Sequence, residues 1–403
     1  MKRIKLILPV IIALALSGCV KDNYDEPNDE RTSKREWYEL VKTDTLTNRQ
    51  INQDVQGNPM PIGNTIVRNS FLYHSSNGSD TVTLSGAVCW PLEKFDSYSE
   101  IWLENHYLTV RWDECPTQLA QGGMIVASMR KAIYIGPDYQ GLGLSRDLDQ
   151  PYLNTILLAN QSIDCYKAAM TLLKDYGIDL ADDYCTYNLG YSLGGAVSVA
   201  VARQIESDPE LMEFTHLKKT LCGGGPYDQV AYFNHFLETP DRELTYPIAF
   251  LCAVKSIVSS SQSFEYDYED CFSKKLLDSG IIEALDSKNY DADEINKMLS
   301  DDNCTSIADI LSADAIDMNS QLSKAIFKAI GKLDLTADWT PRIPILVRHS
   351  KADAYVPFIC MESVMANWAD NPNVTFEVIE TGTHIDDGNK FYINVLFNRY
   401  PLD

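Results

Sequence analysis

The stretch "GYSLGG", residues 190–195, decides the fold, because it places one serine between glycines where a strand-like run meets a helix-like run. The run "YCTYNLG" precedes it, and the apolar run "LGGAVSVAVARQIES" follows with the spacing of a helix packed on one face. A strand-to-helix turn of this kind is tight, and Gly190 and Gly194 remove β-carbons where the two elements approach each other. The sequence therefore predicts a strand–turn–helix unit that presents Ser192 at the carboxyl end of a strand.

Ser192 has the position of a nucleophile. The first backbone N–H groups of a helix have no acceptor within it, so the N–H of Leu193 can stabilise an oxyanion. Gly-x-Ser-x-Gly also occurs in ordinary glycine-rich turns, but the strand before it and the apolar helix after it favour the catalytic interpretation. A serine hydroxyl is a weak nucleophile, so we expect a base nearby.

His384 is the predicted base. In this strand–turn–helix setting the chain order is serine, acid, histidine. His384 alone among the six histidines lies in a loop after the last predicted strand, "VTFEVIE". The alternative is a solvent-exposed loop histidine without a chemical role. The order of the chain favours the catalytic interpretation.

Asp353 is the predicted acid, in "KADAYVP" after the strand-like run "IPILVRHS". A carboxylate there can accept from the Nδ1–H of His384, fix its tautomer and stabilise the imidazolium. Asp228, which follows the preceding predicted strand, is the second candidate. Should neither serve, Asp386 and Asp387 come next, and an aspartate in a turn can also simply cap a helix.

Strands and helices alternate along most of the chain. Two β-rich runs flank Asn77-Gly78 and predict a hairpin. Strand-like runs then alternate with helical ones, such as residues 155–176. This pattern indicates βαβ units, hence an α/β fold whose mostly parallel central sheet has helices on both faces.

The alternation breaks once and then resumes. Helical runs dominate residues 227–338, and strands return at "IPILVRHS". The sequence therefore predicts a core of residues 37–226 and 339–403 with a helical cap inserted at 227–338. A separate C-terminal domain is the alternative. The aromatic runs "YFNHF" and "SFEYDYEDCF" of the cap either line an acyl or aryl pocket or pack in its core.

Four segments together resemble the α/β-hydrolase superfamily over most of residues 65–226 and 339–403. Besides the serine turn, "GPDYQGLGLS" resembles the loop after the fourth strand of that family, "HSKADAYVP" its acid segment and "TGTH" its histidine loop. The insertion resembles the cap of secreted lid-bearing lipases and of peptidase-like esterases, and its order and spacing are closest to the fungal-type lipases. The resemblance implies a serine hydrolase that forms an acyl-enzyme.

The chain departs from that family at the predicted oxyanion hole. Many members carry His-Gly after the third strand, where this chain has His106-Tyr107. The second donor is then the backbone N–H of Tyr107 or of Leu108, or the side chain of Asp113 takes the role that an aspartate has in some lid-bearing lipases.

The N-terminus predicts export and lipidation. Residues 1–18 combine basic "MKRIK" with apolar "LILPVIIALAL" and end in "LSG" before Cys19, which resembles a bacterial lipoprotein signal. Residues 19–36 are a polar tether. We predict an outer-membrane lipoprotein anchored through Cys19, on the periplasmic face or the cell surface. An ordinary signal peptide or a single membrane helix is the alternative.

The net charge and the motifs of the sequence limit the classes of ligand that the protein can bind. Loss of residues 1–18 shifts the formal charge from −23 to −26, which disfavours nucleic acids and other polyanions. The sequence has no Cys-x-x-Cys, His-Glu-x-x-His or phosphate-binding loop, so we predict no metal and no cofactor. Export permits one disulfide among Cys252, Cys271 and Cys304.

These features predict a carboxylic ester hydrolase, a lipase or esterase that acts on acylated glycans or small neutral esters. A prolyl-type serine peptidase is one alternative. A catalytically inactive binding lipoprotein with the same fold is the other, although candidates for serine, acid and histidine are all present.

Overall fold

The computed structural model describes residues 37–56, 63–261, 263–336 and 338–402. The predicted signal, the tether and Cys19 lie outside these residues. Within the described ranges, none of the helices has both the length and the apolar character needed to cross a membrane.

A nine-stranded sheet forms the centre of the molecule, in the order β1-β2-β3-β5-β4-β6-β7-β8-β9. The first three pairs in this order are antiparallel and all later pairs are parallel, which confirms the predicted mostly parallel sheet. The strands are β1 Tyr38–Leu46, β2 Ile66–Ser76, β3 Thr81–Pro91, β4 Tyr98–Asn105, β5 Ile133–Pro137, β6 Leu180–Tyr191, β7 Leu217–Gly223, β8 Ile345–Ser350 and β9 Val374–Ile379.

The predicted hairpin joins β2 to β3. Ser76 pairs with Thr81 at its end, and Gly78 has a φ of 103°, which favours glycine. The side-chain oxygen of Asn77 accepts from the backbone N–H of Asp80 at 2.8 Å. Local turn chemistry therefore sets the register of these two strands.

Helices cover both faces of the sheet, as predicted. Those before the insertion are α1 Asn48–Gln56, α2 Gly122–Arg130, α3 Thr155–Asp175, α4 Leu193–Ser207 and α5 Pro209–Thr215. Buried residues of α3 and α4 belong to one apolar cluster with the sheet, and those of α1 and α2 belong to a second. The serine turn thus lies between a central strand and a helix enclosed in the core.

The chain between β7 and β8 folds into helices that we call the cap. They are α6 Gln229–Leu237, α7 Pro247–Ser260, α8 Tyr268–Cys271, α9 Lys274–Leu277, α10 Ile281–Ser287, α11 Ala292–Asp301, α12 Ile307–Ile310, α13 Ala313–Ile316 and α14 Gln321–Gly331. Both aromatic runs supply packing within the cap, since the buried Phe233 lies against Phe250 with ring centroids 4.8 Å apart and the buried Phe272 lies 5.7 Å from Tyr268. After the cap, α15 Ile359–Trp368 and α16 His384–Leu396 complete the fold.

The cap contacts the loop after β4. The backbone N–H of Trp112 donates to the carbonyl of Lys288 at 3.0 Å, and Arg111 lies 3.6 Å from Asp291. These contacts fix one side of the cap next to the loop predicted to carry the second oxyanion donor.

The disulfide that export would permit is not present among the described residues, because their nine cysteines are all free. Cys252, Cys271 and Cys304 are buried in the apolar cluster that includes the cap, where a thiol packs as a small apolar side chain. Burial raises the pKa of Cys252 to about 12, which keeps this thiol protonated and unreactive.

Candidate active site

Ser192 occupies a strained turn between β6 and α4. Its φ of 59° and ψ of −128° lie in a region that side-chain-bearing residues rarely adopt. Its backbone N–H donates to the carbonyl of Gly223 at 2.8 Å, so the end of β7 holds the turn. The neighbouring strands therefore support this unfavourable conformation.

The glycines of "GYSLGG" are required by close backbone approaches, as predicted for Gly190 and Gly194. A β-carbon at Gly190 would lie 2.2 Å from the carbonyl oxygen of Gly194. One at Gly194 would lie 1.9 Å from the carbonyl oxygen of Asn105, and one at Gly195 would lie 2.5 Å from that of Gly223. Each contact is with backbone, which cannot move aside as a flexible side chain can.

Leu193 is the first residue of α4 and its side chain is buried. Its backbone N–H belongs to the first turn, whose donors have no acceptor within the helix and lie at the positive end of the helix dipole. The arrangement places a donor and a partial positive charge directly beside Ser192.

Asp353 and His384 are in direct contact. Oδ2 of Asp353 lies 2.6 Å from Nδ1 of His384, and both side chains are almost fully buried. Oδ1 accepts from the backbone N–H of Tyr355 at 2.9 Å and of Val356 at 2.8 Å. The carboxylate is therefore held at both oxygens and fixes the imidazole that faces it.

His384 is the first residue of α16, so the predicted loop position of this histidine is wrong by the length of a helix cap. Thr383 caps α16, and its side chain and that of Asp386 each accept from the other's backbone N–H. This capping box moves the start of the helix forward to His384. Asp386 is thus engaged in capping.

Tyr191, the residue before Ser192, joins the serine turn to α16. Its hydroxyl donates to the carbonyl of His384 at 3.0 Å and lies 3.3 Å from Oδ2 of Asp387. A β-carbon at Gly388 would lie 2.9 Å from its ring, so this glycine leaves room for the tyrosine. The strand end that carries the serine and the helix that begins with the histidine are thereby fixed to each other.

The remaining carboxylate candidates have other partners. Asp228 caps α6 and accepts from the backbone N–H of Ala231 at 2.8 Å. Asp387 pairs with the buried Arg348 at 2.7 Å. Asp353 is the candidate that the structure places against His384.

His349 is a supporting residue that sequence reasoning passed over. It is fully buried in β8, and its Nε2 lies 2.9 Å from the carbonyl of Val356 and 3.6 Å from Oδ2 of Asp353. Burial lowers the pKa of His349, so the ring is neutral and can donate to Val356. The sequence feature that could have indicated this role is the position of His349 near the end of a strand, four residues before Asp353.

The loop after β4 is fixed by His106. This buried ring stacks on Tyr139 with centroids 4.3 Å apart, and its Nδ1 lies 2.9 Å from the carbonyl of Tyr107. A trans peptide points its carbonyl and N–H in opposite directions, so the N–H of Leu108 faces away from the ring. Asp113 is paired with Arg111 at 2.6 Å.

Asp138 has a structural role in "GPDYQGLGLS", the segment that resembles a loop of the α/β-hydrolases. It is fully buried, and its carboxylate accepts from Ser85 Oγ at 2.5 Å and from the backbone and hydroxyl of Thr117 at 2.9 and 2.6 Å. A β-carbon at Gly143 would lie 2.1 Å from this carboxylate. Asp138 therefore ties the loops after β4 and β5 to β3.

Within the described ranges, the His, Cys, Asp and Glu side chains form no group that could hold a metal ion.

Neither a family model nor a curated protein matches the sequence. Solved structures are similar to it. The rice cell wall degrading esterase LipA from Xanthomonas oryzae aligns with a TM-score of 0.70 and 18% identity, over 91% of this chain and 98% of that one.

Two further solved structures are similar. A Legionella pneumophila protein named as a candidate hydrolase has a TM-score of 0.74 and 18% identity, over 89% of this chain and 96% of that one. Candida antarctica lipase A in its closed state has a TM-score of 0.64 and 12% identity, over 92% of this chain and 84% of that one. At these identities the likeness concerns architecture, and the architecture of this chain is the α/β-hydrolase fold.

Proposed function

We propose that the protein is a serine-dependent carboxylic ester hydrolase. The observation that carries this proposal is the 2.6 Å contact between Asp353 and His384, on a helix that Tyr191 fixes to the strained turn of Ser192. Ser192, Asp353 and His384 follow β6, β8 and β9, so nucleophile, orienting carboxylate and base have the chain order expected after a strand–turn–helix serine turn.

The reaction follows from these positions. Ser192 Oγ attacks the ester carbonyl carbon while Nε2 of His384 takes its proton, and Asp353 stabilises the resulting imidazolium. The backbone N–H of Leu193, with that of Tyr107 or Leu108, stabilises the oxyanion. His384 then gives its proton to the leaving alcohol, and water hydrolyses the acyl-enzyme by the same steps.

The substrate class that we propose is a neutral ester, an acylated glycan or a small lipid ester. The sequence has a formal charge of −23, which repels anionic polymers. Among the similar structures, one is named a rice cell wall degrading esterase and another a lipase. The complete set of serine, acid and histidine argues against an inactive binding protein.

A substrate panel tests the proposal. It contains short p-nitrophenyl esters, long-chain triglycerides, feruloyl and acetyl glycans and one prolyl amide. We expect turnover of at least one ester class and none of the amide. Preference for the prolyl amide would identify a peptidase. Absence of turnover, together with resistance to fluorophosphonates, would favour the binding lipoprotein.

The proposed location is the outer membrane, with Cys19 as the lipid-bearing residue. We expect Cys19→Ala to move the protein from the membrane fraction to the soluble fraction, because multi-chain lipidation holds a protein at a membrane and a bare polar tether does not. Fractionation followed by immunoblotting measures the shift. Cys185→Ala is the matched control and stays in the membrane fraction, and continued membrane association of Cys19→Ala would contradict the anchor.

A further inference from the structure

Two stacked tyrosine rings connect the cap to the imidazole of His384. The ring of Tyr355 stacks on the imidazole with centroids 5.2 Å apart and planes 30° apart. The ring of Tyr246 stacks on Tyr355 with centroids 4.3 Å apart and planes 7° apart. We call these three residues the aromatic ladder. Tyr246 directly precedes α7 and belongs to the cap, whereas Tyr355 belongs to the loop of Asp353.

Each of the two tyrosine rings of the ladder is fixed by its own surroundings. The backbone N–H of Tyr355 donates to Asp353, so the carboxylate that contacts His384 also positions the stacked tyrosine. Tyr246 and Tyr355 line a small void together with Tyr232, Phe236 and Phe250 of the cap. Packing within the cap thus determines where Tyr246 lies.

The face of an aromatic ring carries negative charge and attracts a cation more strongly than a neutral ring. During acyl transfer His384 becomes an imidazolium, so the stack with Tyr355 strengthens as the transition state forms. An interaction of this kind raises kcat and leaves substrate binding largely unchanged. Tyr246 covers Tyr355 and limits its movement, which ties the position of the base to the position of the cap.

We propose that Tyr355 and Tyr246 are positioning residues that act through His384 and make its reactivity depend on a docked cap. This proposal rests on the proposed function. It assigns no new reacting group, because neither phenol is required to exchange a proton.

Two substitutions of Tyr355 separate the contribution of its ring to the reaction rate from that of its hydroxyl. We expect Tyr355→Leu to lower kcat, and the rate of inactivation by a small fluorophosphonate, by about three- to tenfold, the range measured for aromatic pairs. KM and melting temperature stay close to wild type. Tyr355→Phe keeps the ring and restores both rates. Equal loss in Tyr355→Phe, or no loss in Tyr355→Leu, would overturn the proposal.

The contribution of Tyr246 is measured by a double-mutant cycle. Since Tyr246 acts through Tyr355, Tyr246→Leu lowers the same rates by a smaller factor, and adding it to Tyr355→Leu causes little further loss. Purely multiplicative effects would refute the link between cap and base.

A stacked pair far from the serine supplies the control. Tyr184 stacks on His216 with centroids 4.3 Å apart and planes 9° apart, and Tyr184→Leu removes a similar contact. We expect its kinetics to match wild type. The two proposals fail differently, because a wild-type protein without esterase activity or labelling refutes the proposed function, whereas an active wild type with an equally active Tyr355→Leu refutes only the ladder.

Discussion

Ser192→Ala is expected to abolish covalent labelling by a fluorophosphonate probe and to lower ester turnover by about six powers of ten, as loss of the nucleophile does in serine hydrolases. The probe reacts with a serine that a base has activated, and Ser192 is the serine whose turn Tyr191 fixes to the helix of His384. Gel fluorescence measures the label, and a p-nitrophenyl ester assay measures turnover.

Ser207→Ala is the matched control. Ser207 is an exposed serine at the end of α4, the helix that Ser192 directly precedes. It should label and turn over substrate as the wild type does. Melting temperatures of both variants should remain near that of the wild type, because each removes one hydroxyl oxygen. Full labelling of Ser192→Ala at another serine would show that the nucleophile lies elsewhere.

Asp353→Asn is expected to lower turnover by about four powers of ten, or about 5 kcal/mol of transition-state stabilisation. The asparagine carbonyl can still accept from the backbone N–H groups of Tyr355 and Val356, so the loop keeps its shape. Its amide then presents N–H to Nδ1 of His384 and favours the tautomer in which Nε2 carries the proton. That tautomer cannot take a proton from Ser192. Kinetics and thermal melts on the same preparation test this result.

Asp228→Asn provides the comparison. Asparagine caps a helix about as well as aspartate, and Asp228 caps α6, so stability and turnover should change little. An inactive Asp228→Asn with an active Asp353→Asn would place the acid after β7. If both remain active, His384 is oriented by another group, and Asp386→Asn and Asp387→Asn become the variants to measure.

The local parts of the fold were predictable from the sequence. The serine turn is determined by glycines within six residues, and the hairpin at Asn77 by its own turn chemistry. The extent of α4, Leu193–Ser207, matches its apolar spacing and the break before Pro209. In each case the residues that determine the structure are adjacent in the chain.

The contact between Asp353 and His384 was predictable from their chemistry, but contacts between distant segments that carry no such signal were not. The hydroxyl of Tyr191 meets the carbonyl of His384 across 193 residues, and neither residue type indicates the other. The helix start at His384 was missed because it depends on mutual capping by Thr383 and Asp386. The prediction of a loop there rested only on the position of the histidine and not on the capping residues on either side of it. The edge strand β1 was missed because its residues are mostly exposed and polar.

The insertion point of the cap has a consequence for how the protein can evolve. Gly223 of β7 pairs with Arg348 of β8, although the whole cap lies between them in the chain. The entropy cost of closing a loop grows only with the logarithm of its length, by about 0.6 kcal/mol for each doubling. A change in the length of an exposed connection within the cap therefore alters this entropy cost little, whereas the buried cap residues share an apolar cluster with the sheet and contribute to its stability. The connections between the cap helices can therefore vary in length among descendants of this chain while the folding of the core remains almost unaffected.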